Sequence, residues 1–159
     1  MSYPKEIILK RLAFELETCS KYLEKDTIID PRVAEFPIVI EMQMKNVLGY
    51  ETKDKIISDH RFAIIITQDY GERKPEVRWR THIFHPNIMD PDDGGYVCIK
   101  LLNEWSYGTR LSSFIRSIEA LVLEPNYRSP FATGSCIKAA EFFKDNITKF
   151  SASITYGEK

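Results

Sequence analysis

Cys98, within Gly95-Tyr96-Val97-Cys98-Ile99, follows His85-Pro86-Asn87 and precedes Trp105, an order that places one thiol beside one amide donor. A cysteine sulfur can hold an acyl group as a thioester, and a carboxamide aimed at the carbonyl oxygen can stabilise the oxyanion formed when a nucleophile attacks. Cys98 and Asn87 are therefore the candidate catalytic residues for acyl transfer, chemistry that calls for no metal and no cofactor. Asn87 has a second, compatible reading, because an Asn after Pro often bonds nearby backbone to hold a turn. His85 lies on the strand side of Pro86 and reads as a loop anchor bonded to backbone rather than as a general base.

Other chemistries fit less well. A cysteine hydrolase pairing Cys98 with His85 needs an electropositive setting that makes thiolate, whereas Asp90, Asp92 and Asp93 oppose ionisation and only Lys100 favours it. A thioester carrier tolerates an ordinary thiol, because it exchanges one thioester for another of nearly equal energy. His82 and His85 suggest a metal pair, but their odd separation puts them on opposite faces of a continuing strand. Asp90-x-Asp92-Asp93-Gly94-Gly95 resembles the start of a calcium loop, yet Leu101 stands where a bidentate Glu is required, so an acidic turn is expected. Arg78 and Arg80 flank Trp79, and alternation turns the ring away from both, leaving a solvated basic face rather than a nucleic-acid platform.

The elements that must position these residues are readable from periodicity. Pro4 begins a helix after a candidate Ser2 cap, with Ile8, Leu12, Leu16, Cys19 and Leu23 at helical spacing. Residues 36–44 alternate, with Ile38, Ile40, Met42 and Met44 on one face, and predict a half-buried strand. Further strands are predicted over 50–57, 61–67 and 77–81, most simply as a four-stranded antiparallel meander. Periodicity fails over 84–108, and a long irregular segment in a small domain is usually functional. Thr109 can then cap a helix through Leu111, Phe114, Ile115, Ile118, Leu121 and Val122 that Pro125 stops. A last helix is expected from near Ala132 through Ile137, Ala140 and Phe143 to Phe150, with a polar tail over 151–159 expected to fray. The class is α+β: N-terminal helix, antiparallel strands, irregular active-site segment, C-terminal helices.

Composition sets the outer bounds. The 159 residues suit a single domain over 1–159. Twenty-two basic and 23 acidic side chains give a formal charge of −1, so neither nucleic acid nor a membrane is an expected partner. No run approaches the ~18 apolar residues of a membrane span. Three cysteines at 19, 98 and 136 form neither a disulfide framework nor a zinc spacing, which fits a soluble protein of the reducing cytoplasm. Cys19 and Cys136, inside helical patterns, read as small buried hydrophobes.

His85-Pro86-Asn87, Gly95-x-Val97-Cys98-Ile99, Trp105, the amphipathic stretch over 109–123 and Glu124-Pro125-Asn126-x-x-Ser129-Pro130 together resemble the catalytic half of the ubiquitin-conjugating enzyme family. Asp69-Tyr70, Pro75-x-Val77, Lys144-Asp145 and Phe150 extend the likeness over nearly the whole chain. An ordered set of this kind is far more specific than any three-residue motif. The resemblance implies a modifier thioester on Cys98, supplied by an activating enzyme that itself consumes ATP, and transfer to a substrate lysine. Asn87 serves the oxyanion or orders the loop; His85, Pro86 and Ser129 support the site. It also implies that a RING-type or divergent ligase faces two loops carrying Tyr70, Glu72 and Arg73, and Ser106 and Tyr107. This sequence departs from the family's pattern at Glu72, where an aromatic is usual, at Ser129, where an acid is usual, and at Lys100, where Asp is usual. Asp92, Asp93 and Glu104 remain candidates for activating the incoming lysine. Relatives of the fold that lack the cysteine bind modifiers or act as scaffolds, which is the non-catalytic alternative.

Overall fold

In the computed structural model, which describes residues 3–157 apart from Asp26 and Asn103, alternation over residues 36–44 becomes strand β1, Ile38–Met44. Ile40, Met42 and Met44 are buried while Val39 and Glu41 face out, the period of two that a half-buried strand demands. β1 runs antiparallel to β4, His60–Ile66, with Ile38 opposite Ile66 and Met44 opposite His60. β4 in turn pairs with β5, Glu76–Trp79, with Phe62 opposite Trp79.

The predicted strand over 50–57 differs. It folds back on itself as β2, Gly49–Thr52, and β3, Lys55–Ile57, a separate two-stranded hairpin beside the three-stranded sheet β1-β4-β5. The meander therefore has a hairpin inserted between its first two sheet strands. The cause is local: the Thr52 hydroxyl accepts a hydrogen bond from the Asp54 amide at 3.2 Å, a side-chain turn that breaks a seemingly continuous run.

Helix α1, Lys5–Thr18, buries Ile8, Leu9, Leu12 and Leu16. The helical pattern that suggested continuation to Leu23 ends earlier. The Thr18 hydroxyl bonds back to the Glu15 carbonyl at 2.7 Å, a 3-10 turn follows over Ser20–Tyr22, and Leu23 bridges to Met42 as extended chain. Ser2 lies outside the described residues; Pro4 occupies the N-cap and its carbonyl receives the Ile7 and Ile8 amides.

Helix α2, Leu111–Leu123, buries the apolar stripe expected of it, and the chain leaves it at Glu124-Pro125. Its cap is not Thr109, whose hydroxyl instead accepts from the Ser106 amide at 2.9 Å. The cap is Glu15 of α1: Oε2 accepts from the Leu111 amide at 2.5 Å, while Oε1 accepts from Arg11 Nε at 2.6 Å and from the Tyr70 hydroxyl at 2.9 Å. A buried carboxylate at a helix N-terminus is favoured by the helix dipole as well as by the orphan amide. Burial and the Glu15 charge both push the Tyr70 phenol upward, so it stays a donor. Glu15→Gln, which keeps one acceptor and loses the charge, is expected to lower unfolding stability by about 1–3 kcal/mol in urea denaturation. A change under about 0.5 kcal/mol, the usual scatter of surface substitutions, would show that this carboxylate does not hold α2.

Helix α3, Gly134–Gly157, begins two residues later than expected, where the Thr133 hydroxyl accepts from the Cys136 amide at 3.2 Å. Its backbone is helical to Gly157, through most of the stretch read as a polar tail, whereas residues 158–159 lie outside the described residues. Ala140 and Phe143 are buried, but Ile137, placed with them in the apolar pattern, is 42% exposed. Phe143 and Ala139 meet Tyr50 in a small second core against Phe84, Tyr127 and Phe142. The α+β order of helix, antiparallel sheet and C-terminal helices stands. Among the described residues, no helix is long and apolar enough to cross a membrane.

Candidate active site

The irregular segment is held by backbone pairing that begins where β5 ends. Trp79 donates to the Gly95 carbonyl at 2.7 Å, Met89 to Tyr96 at 2.8 Å, and Cys98 to Asn87 at 2.9 Å. Residues 87–98 therefore form a narrow loop whose two ends are the two candidate catalytic residues. Gly95 has φ 69°, and a Cβ there would stand 2.6 Å from the Trp79 carbonyl oxygen, so only glycine permits this approach. At the loop tip, Asp90 caps the 3-10 turn Pro91–Asp93 through the Asp92 amide at 3.0 Å. Its other oxygen accepts from His82 Nδ1 and the Ile83 amide. The clustering of His82, Asp90 and Asp92 thus follows from the capped turn.

Cys98 is half-buried at the edge of an open groove of about 510 Å³, walled by Met89, Tyr96, Val97 and Phe131. Cys19 and Cys136 are buried, and burial pushes both thiols up, away from the reactive thiolate. Glu76 and Arg78 also line the groove. Arg78, expected on a solvated face, instead stacks its guanidinium on the Tyr96 ring at 4.0 Å from the centroid. The loop folds back across β5, which period-two alternation cannot reveal, although Glu76 and Arg78 sharing one strand face was the available signal. Arg80 pairs with Glu41 at 3.0 Å, and Trp79 is buried.

Asn87 is wholly buried, and its carboxamide is fully engaged. Nδ2 donates to the Asn126 and Ser129 carbonyls, each at 3.0 Å, and Oδ1 accepts from the Asn126 amide at 2.8 Å. The side chain clasps residues 126–129 against the loop that ends at Cys98. Donating to an oxyanion would require exchanging one of these bonds. Pro86 joins the same clasp, its carbonyl accepting from the Phe131 amide at 3.0 Å, while the Ser129 side chain points to solvent.

His85, 2% exposed, uses both ring nitrogens: Nδ1 accepts from the Asn87 amide at 3.0 Å and Nε2 donates to the Leu121 carbonyl at 2.8 Å. Burial lowers its pKa from 6.5 to about 4, so the ring is neutral and ties the loop to α2. Below pH 6.5 the unfolded chain takes up a proton that the folded ring refuses. Stability is therefore level above that pH and falls towards pH 4, by about 3 kcal/mol from this group. His60, its pKa also lowered by burial, acts in the same direction. Urea midpoints measured from pH 7.5 to 4.5 should decline, and His85→Gln should flatten the decline. An equal slope in both proteins would rule out His85 as the cause.

Of the residues assigned to the ligase-facing loops, Tyr70 is not on the surface: it is 2% exposed and bonded to Glu15. Glu72, Arg73, Ser106 and Tyr107 are exposed. The Tyr107 ring is 53% exposed, packs on Tyr3 with centroids 4.8 Å apart, and has the Arg11 guanidinium 5.2 Å from its centroid. Glu104 lines an adjoining trough rather than the Cys98 groove, and Asp92 and Asp93 sit in the capped turn.

The sequence profile of the family described as "Ubiquitin-conjugating enzyme" matches residues 50–156. The chain is 27% identical over 123 residues to Candida glabrata "Ubiquitin-conjugating enzyme E2 2", covering 76% of this chain and 70% of that protein. The Saccharomyces cerevisiae protein of the same name is 26% identical, covering 76% and 67%. Among solved structures, Saccharomyces cerevisiae Ubc12 aligns with a TM-score of 0.65 at 25% identity, over 93% of this chain and 77% of that one. The E2 domain of a Toxoplasma gondii ubiquitin conjugating enzyme aligns at 0.61 with 21% identity, over 97% and 96%, a likeness of fold alone.

Proposed function

The chain belongs to the ubiquitin-conjugating enzyme family, and from that membership we propose that it accepts ubiquitin or a ubiquitin-like modifier as a thioester on Cys98 from an activating enzyme and transfers it to a substrate lysine. The observation that carries the reading is the contrast among the cysteines: Cys98 opens onto a groove, while Cys19 and Cys136 are buried. In the first step the Cys98 sulfur attacks the incoming thioester and the activating enzyme's thiol leaves, an exchange near energy balance. In the second, a lysine amine attacks the carbonyl, and the tetrahedral oxyanion collapses to an amide with Cys98 sulfur as leaving group. This chain binds no cofactor for either step; ATP is used by the activating partner.

Asn87 acts as a positioning residue by clasping residues 126–129 to the loop that ends at Cys98, and it serves the oxyanion directly only by giving up one clasp bond. A free lysine near pKa 10.4 faces a deprotonation penalty of roughly 4.6 kcal/mol at pH 7. Glu76 is the acid that shares the groove with Cys98, so it is the residue we assign to receive the lysine ammonium, ahead of Asp92, Asp93 and Glu104. The hydrolase reading loses support because both nitrogens of His85 are bonded elsewhere. A ligase, RING-type or divergent, would meet Glu72 and Arg73 on one loop and Ser106 and Tyr107 on the other. Incubating the protein with activating enzyme, modifier and ATP tests the reading: a thiol-labile adduct on non-reducing gels supports it, and no adduct with a competent activating enzyme overturns it in favour of a scaffold.

A further inference from the structure

The Cys98 groove has a neighbour. Glu76 and Ile99 line the groove and also line a second, larger trough of about 1000 Å³ that opens on their other side. Two hydrogen bonds tie its walls together: Lys74 Nζ donates to the Ile99 carbonyl at 2.9 Å, and Trp105 Nε1 donates to the Gly71 carbonyl at 3.1 Å. The trough is therefore formed before anything enters it, which spares a ligand the cost of ordering its walls. Half-buried Phe36 and Trp105 supply apolar surface. Asp69, Glu72, Glu76 and Glu104 set four carboxylates against the two cations Arg73 and Lys74, so this lining is acidic although the whole chain carries only −1. Glu76 and Glu104 lie outside the loop assigned to a ligase. Glu76 meets Arg78 at 3.8 Å, a long ion pair, and Glu104 is exposed with no hydrogen bond or ion pair among the described residues.

We propose that this trough is a substrate subsite that takes a basic segment flanking the acceptor lysine, with Glu104 as the residue that selects it; this rests on the thioester reading above. A lysine that reaches Cys98 brings its chain neighbours with it. An extended chain advances roughly 3.3–3.6 Å per residue, so positions a few residues to one side of the lysine cross the Glu76–Ile99 ridge and enter the trough. Arginine suits that place, because its alkyl stem lies along apolar surface while the guanidinium meets a carboxylate near water. The Cys98 groove itself sets Arg78 and Lys100 beside Glu76, so selection of a basic flank belongs to the trough and not to the groove. The preference is one-sided, because the trough opens on one side of the groove. A general attraction between opposite charges would favour both flanks alike.

The test charges the full chain, quenches the activating enzyme and measures single-turnover discharge to acetylated peptides with one lysine in an alanine background. Two arginines, two glutamates or neither stand about three to four residues before the lysine or after it, an extended reach of roughly 10–14 Å. Arginines on one side should lower the peptide concentration giving half-maximal discharge by roughly threefold to tenfold, the scale of one or two exposed ion pairs, with the maximal rate unchanged. The gain should shrink at about 1 M salt, where the screening length falls to about 3 Å. Glu104→Gln, which keeps the shape, should cut the gain to under about twofold, and Glu104→Arg should make the glutamate peptide the better acceptor. Equal gains on both sides of the lysine, a gain that survives Glu104→Gln, or no gain from a normally charged protein overturns the proposal alone. A fall in maximal rate shared by every peptide in Glu104→Gln overturns it too, because Glu104 would then serve the transfer step rather than selection. Failure to form the thiol-labile adduct at all overturns the functional reading beneath it.

Discussion

Cys98→Ala is expected to abolish the thiol-labile adduct completely, since it removes the atom that would carry the acyl group. Cys98→Ser should instead trap an adduct that survives thiol reductants, because an oxygen ester does not exchange with thiols as a thioester does. Cys19→Ala and Cys136→Ala should still charge. Both thiols are buried and shifted towards the unreactive protonated form, so neither can substitute for the groove cysteine. Comparing the four variants on reducing and non-reducing gels gives the answer. Charging that persists in Cys98→Ala would end the assignment of Cys98.

Asn87→Ala is expected to leave charging nearly intact and to slow discharge to free lysine by roughly 10²-fold or more, the scale of losing one donor or the geometry around one. Truncation leaves the Asn126 amide and two carbonyls without the partner that now joins them. Each such group costs about 1–3 kcal/mol if it stays buried, so urea denaturation should show a stability loss in that range or above. A positioning role predicts that the loss falls on the maximal rate at saturating lysine. A weaker effect on the lysine concentration giving half that rate should accompany it. If the variant folds and discharge slows less than a few-fold, the clasp on residues 126–129 does not govern transfer.

Sequence by itself determined much of this protein because its signals are local. Alternation over β1 and the helical stripe from Leu111 to Val122 specify burial through periodicity alone, and both became elements with the expected faces inward. The ordered motifs around Cys98 identified the family, because one chemistry constrains residues at set spacings. Tertiary structure decided what depends on partners distant in the chain. Glu15 caps α2 across 96 residues, a contact that displaced the locally plausible Thr109. Tyr70 turned inward because that same carboxylate accepts its hydroxyl, so it is absent from the surface where the family resemblance placed it. The Asn87 carboxamide, open in sequence to either role, is spent on backbone 39 and 42 residues away. Arg78 is half-buried on the Tyr96 ring because Gly95 lets the loop close on β5. A hydrogen bond or a stacked ring is set by where two chain segments meet, and that meeting is fixed only when the sheet, α1 and α2 pack together.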